Sequence, residues 1–104
     1  MRIETTGIIN FDAINESAMR DLAVILHRWL PDGKIRGHEF VALNPTRNDR
    51  RPGSFSINLN TGVWKDFSSG DGGSDPVSLC AFLFGLSQGN AAKEMAQMLG
   101  VHYG

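Results

Sequence analysis

A single cysteine, Cys80, stands in the 104 residues. One thiol excludes an internal disulfide and any zinc site built from several thiolates. No apolar run approaches the length needed to cross a bilayer, so no membrane partner is expected. The first ten residues lack a basic stretch followed by an apolar one, which gives no expectation of a signal peptide. A cytoplasmic location is the simplest expectation. No internal repeat and no extended low-complexity tract is present, and the length suits one domain with a modest core.

The net charge of -1 conceals an uneven distribution. Between Lys34 and Lys65, six cations (Lys34, Arg36, Arg47, Arg50, Arg51, Lys65) face two anions (Glu39, Asp49), a local charge of +4. From Asp66 onward only Lys93 opposes Asp66, Asp71, Asp75 and Glu94, a local charge of -3. A basic middle segment fits contact with a polyanion, and equally a solvated surface.

Phe11, Ile14, Ala18, Leu22, Ile25, Leu26 and Trp29 recur at three- and four-residue steps. They predict one amphipathic helix over residues 12–30, capped by Asp12 or Asn15 and stopped by Pro31-Asp32-Gly33. His27 reads as a surface residue and Trp29 as packing. Extended segments follow at residues 38–43, 54–59 and 63–67. The last two are joined by Asn60-Thr61-Gly62 into a β-hairpin. Asp75-Pro76 starts an apolar helix that ends at Gly85, with Cys80 inert inside it. Ser87 caps a last helix that ends at Gly100. The order helix, three strands, two helices predicts an α+β fold with a small antiparallel sheet.

Few residues carry chemistry. Gly70-Asp71-Gly72-Gly73 lacks the Gly-Lys-Ser/Thr ending of a phosphate loop, and its aspartates repel phosphate. Asp66, Asp71 and Asp75 suit weak magnesium binding, or capping and turn formation. No nucleophile neighbours a histidine in a recognisable pattern, so no catalytic residue is assigned. Arg47, Arg50 and Arg51 lie in a polar loop between the first strand and the hairpin. Arginine forks phosphate oxygens. Trp64 beside Lys65 either stacks an unpaired base or belongs to the core.

The order of these motifs resembles the N-terminal zinc-ribbon domain of bacterial and phage DNA primases. In that family a Cys-Pro-x-His turn precedes a Thr-Pro-Ser-Phe-like strand start. A hairpin then leads to Cys-x-x-Cys, a Gly-x-Gly-Gly loop, an apolar helix and a Leu-Ser-x-x-x-Ala helix. Here Asn44-Pro45-Thr46-Arg47, Arg51-Pro52-Gly53-Ser54-Phe55, Asp66-Phe67-Ser68-Ser69, Gly70-Asp71-Gly72-Gly73 and Leu86-Ser87 with Ala91 stand in the same order. The resemblance spans residues 34–100, with residues 1–33 as a helical extension of the same single domain.

The four ligand positions hold Asn44, Arg47, Asp66 and Ser69, so zinc is not carried over and no cofactor is expected. An ion pair between Asp66 and Arg47 is expected to join the two knuckles. The chain is similar to a degenerate, metal-free branch of these domains found in primase-helicase-like proteins of phages, plasmids and integrated elements. That resemblance implies a non-catalytic module acting in DNA replication. Its partners would be single-stranded DNA and a TOPRIM/primase or helicase domain of the same polypeptide. The expected DNA-binding residues are Lys34, Arg36, Arg47, Arg50, Arg51, Trp64 and Lys65. The alternative is a docking domain without DNA contact, with an exposed apolar patch around Leu59, Val63 or Trp64.

Overall fold

The computed structural model describes residues 9–46 and 54–101. The chain has an α+β fold. Helices α1 (Phe11–Arg20) and α2 (Leu22–Trp29) lead into strands β1 (Lys34–Arg36), β2 (Glu39–Ala42), β3 (Phe55–Asn58), β4 (Trp64–Asp66) and β5 (Gly72–Gly73). Helices α3 (Pro76–Phe84) and α4 (Gln88–Leu99) follow. The strands form one antiparallel sheet in sequence order, β1-β2-β3-β4-β5.

The expected single N-terminal helix is two. The turn breaks at Asp21 (φ −125°, ψ 29°). Ile14, Ala18 and Ile25 pack among α3 and α4, whereas Leu22, Leu26 and Leu30 pack on the sheet. The break does not sort these residues by half: Ile25, on α2, still packs with α3 and α4, while Leu22 and Leu26 on the same helix turn to the sheet. The cap also differs from expectation. Asn10 Oδ1 accepts from Ala13 N–H at 3.0 Å, starting α1. Asn15 acts across the fold instead, accepting the Val77 N–H at 3.0 Å in the first turn of α3.

Two strands were not expected. β1 pairs with β2 through a loop whose first residue, Gly37, has φ +60°, the glycine-first signature of a type II′ hairpin turn. All three β1 residues are exposed, so no buried alternation marks it. β5 is made of glycines because β4 lies too close for side chains. A Cβ on Gly73 would press against Ser78 Oγ and lie 2.5 Å from Trp64 Nε1.

The helix ends follow the sequence. Asp75 Oδ1 accepts from Ser78 N–H at 2.8 Å, with Pro76 in the first turn of α3 and Gly85 in the left-handed region after it. Ser87 Oγ accepts from Asn90 N–H at 3.1 Å to start α4, and Gly100 ends it. The core has two adjoining parts. One joins α1, α3 and α4 around Val77, Ala91, Ala92 and Met95. The other lies under the sheet around Leu26, Phe40, Phe55, Ile57, Trp64 and Leu79.

Candidate nucleic-acid interface

Strand alternation sorts the sheet residues onto two faces. Phe40, Ala42, Phe55, Ile57, Trp64 and Asp66 point inward and are buried. Register places Lys34, Val41, Ser56 and Lys65 in one row on the outer face, and Arg36, Glu39 and Asn58 in the next. Three expected DNA-binding cations, Lys34, Arg36 and Lys65, therefore share a face and are exposed. Ser56 Oγ donates to Glu39 on the same surface.

Trp64 is not on this face, which corrects its expected role. It is 4% exposed, and its indole N–H donates to Ser78 Oγ at 2.9 Å. Its ring packs against Phe82 (centroids 4.8 Å) and Phe55 (6.2 Å). A ring shielded from water, packed in a cluster with two core aromatics and bonded through its N–H has no face to offer a base. Of the three residues around which an apolar patch was expected, Leu59, Val63 or Trp64, one stands outward. Val63 is exposed, Leu59 half-buried and Trp64 inside.

The exposed aromatic on the outer face is Phe67, which the sequence reading did not assign. It is 69% exposed, and Lys65 Nζ lies 5.5 Å from its ring centroid. With Glu39, Ser56, Asn58, Val63 and Lys65 it lines a shallow depression of about 190 Å³. The signal was available. If Phe55 and Ile57 face inward, their hairpin partners Trp64 and Asp66 do too, and Val63, Lys65 and Phe67 must face outward.

Arg47, Arg50 and Arg51 lie outside the described residues, as does the expected Asp66–Arg47 ion pair. The flanks of their segment are described. Ala42 pairs with Phe55, and the Ser54 carbonyl accepts from Phe67 N–H at 2.8 Å. The described flank at Ser54 thus lies beside the strand end that carries Phe67.

Asn44 and Asp66, two of the four ligand positions of the resemblance, meet directly. Asn44 Nδ2 donates to Asp66 Oδ2 at 2.8 Å, and both side chains are buried. Asp66 Oδ1 accepts from the N–H groups of Ser68 (2.8 Å) and Ser69 (3.2 Å). Ser69 Oγ turns away and donates to Asp71 Oδ2 at 2.9 Å. An amide, a carboxylate already accepting three N–H groups and a hydroxyl bonded elsewhere do not fit zinc. Asp71 and Asp75 are likewise engaged separately, and among the described residues no three His, Cys, Asp or Glu side chains gather around a common point.

On the opposite side of the molecule, Cys80, Phe84, Leu86, Asn90, Lys93 and Glu94 line a groove of about 560 Å³ between α3 and α4. Phe84 is 53% exposed and packs edge-on against Trp29 at 5.6 Å. Among the described residues no helix is long and apolar enough to cross a membrane. No protein-family model matches the chain, and no curated protein matches its sequence.

Proposed function

We propose that this chain is a single-stranded DNA-binding module, a non-catalytic part of a primase- or helicase-type replication protein of a phage, plasmid or integrated element. The observation that carries the binding reading is the outer sheet face. It combines Lys34, Arg36 and Lys65 with an exposed Phe67 beside which a lysine is already placed. Lys34 and Arg36, two residues apart on one face of β1, suit successive phosphates, and an aromatic face beside Lys65 suits an unpaired base. Arg47, Arg50 and Arg51 would extend the phosphate contacts from the adjoining segment. The replication context rests on the order of motifs from Asn44 to Ala91, and primer synthesis would reside in a separate domain of the same polypeptide.

Fluorescence anisotropy with a labelled oligonucleotide tests this reading. Trp64 emission is a poor probe, since its ring is buried away from the face. The logarithm of the association constant should fall linearly with the logarithm of salt, by about 0.7 for each phosphate contacted. Single strands should bind better than duplex. No binding at low salt would overturn the reading. It would favour the second one, a docking domain, which draws on the exposed Phe84 and the groove beside it.

A further inference from the structure

We propose that Asn44 and Asp66 form a metal-independent clasp that couples two turns of the fold, so that loosening either turn loosens the other. Among the described residues they are the two buried polar or charged side chains, 1% and 0% exposed. Each closes its own turn. Asn44 Oδ1 accepts from the N–H and Oγ1 of Thr46 at 2.9 and 2.7 Å. Asp66 Oδ1 accepts from Ser68 and Ser69 N–H, while the Asp66 carbonyl accepts from Gly70 N–H at 2.8 Å. Asn44 Nδ2 and Asp66 Oδ2 then meet each other at 2.8 Å.

The bond spans 22 sequence positions and joins the start of the basic segment to the turn that carries Phe67. Burial makes the bond selective. A buried donor or acceptor that loses its partner has no water to replace it, so neither side chain is indifferent to the other's identity. The consequence for DNA rests on the proposed function: the clasp would steady the turn that carries the stacking ring of Phe67. The clasp itself does not depend on that reading.

The hydrogen-bond polarity gives a sharp test. Asp66→Asn alone sets two NH2 groups against each other. Asn44→Asp alone sets two carboxylates against each other. The exchange variant, Asn44→Asp with Asp66→Asn, restores the clasp with its polarity reversed. The amide at position 66 would donate across to the carboxylate at position 44 and still accept from its own turn. That carboxylate would still accept from Thr46.

Amide hydrogen exchange is read at Thr46, Ser68 and Ser69 in all four proteins. Each single change should speed exchange in both turns by about tenfold or more, and the exchange variant should restore most of the protection. A single change that affects only its own turn overturns the clasp, as does an exchange variant no better than the singles. If both singles fail to fold, a folded exchange variant supports the clasp and an unfolded one overturns it. Oligonucleotide binding on the same proteins separates the two proposals. Coupled turns without DNA binding by the parent chain remove the function and leave the clasp. Uncoupled turns in a chain that binds DNA do the reverse.

Discussion

The two faces of the five-stranded sheet are built from alternate residues of the same strands, yet they obey different rules. Inward residues Phe40, Ala42, Phe55, Ile57, Trp64 and Asp66 are almost wholly shielded from water. Outward residues Lys34, Arg36, Lys65 and Phe67 are exposed. One step along β4 separates Trp64, packed against Phe55 and Phe82, from Lys65, whose charge stands in solvent beside Phe67. The inner face therefore holds the fold together, and the outer face is free to be chosen for what it touches. Identity on the inside should register in stability, and identity on the outside in binding.

The largest expected effect comes from breaking the inner face. Trp64→Ala removes a buried ring, two aromatic contacts and the bond to Ser78. It should cost about 3–5 kcal/mol in urea unfolding. That is much of the roughly 5–15 kcal/mol that keeps a domain folded. Lys65→Ala, one residue on, should stay within about 0.5 kcal/mol of the parent. Similar costs for the two would erase the distinction between the faces.

How much of this is legible in the sequence depends on whether the signal is local. The hairpin of β3 and β4, the start of α3 at Asp75-Pro76 and the ends at Gly85 and Gly100 rest on residues within a few positions of each other, and the structure has them where the sequence places them. The break at Asp21 is not legible, because the apolar spacing runs through it unchanged and no glycine or proline stands there. β5 is hidden because two glycines carry no side-chain pattern; the requirement for them lies in the closeness of Trp64 and Ser78. The bond between Asn44 and Asp66 is non-local: the resemblance brings the two positions together, but no local pattern singles out Asn44 as a partner of Asp66. In the candidate site, charge alone points to Lys34, Arg36 and Lys65. Phe67 emerges only once the alternation along the hairpin is assigned to faces.

The second expected effect concerns an ionisable group inside the helical half. Burial, with a smaller contribution from Glu94, pushes the Cys80 thiol up from its usual 9.0 to about 11. Above the ordinary thiol value the unfolded chain releases its proton while the folded chain keeps it. Stability should therefore be full below about pH 9 and fall as pH rises toward 11, by an amount on the order of 2–3 kcal/mol. Urea midpoints of the parent and Cys80→Ala, compared at pH 8 and pH 10.5, isolate this contribution from other groups that titrate there. If the parent loses no more stability than the variant, the thiol is not shielded as its position in the core part with Val77, Ala81 and Met95 implies.

The smallest effects on folding, and the most telling for function, belong to Phe67 and Lys65. Phe67→Ala should leave unfolding within about 0.5 kcal/mol, since its ring is 69% exposed. It should weaken single-strand binding by roughly 1–3 kcal/mol, the usual value for one stacked base. Lys65→Ala should act differently on the same strand. It should lower affinity evenly across sequences and make the salt slope shallower by about one phosphate contact, about 0.7 in a log–log plot. Because Lys65 Nζ lies close to the Phe67 ring, the two changes should not be additive. The coupling also distinguishes a shared site from two separate ones. If Lys65→Ala shifts the salt slope equally with or without Phe67, the lysine serves a phosphate alone. If its effect shrinks once the ring is gone, base and phosphate are held together, as expected of a face that reads a single strand.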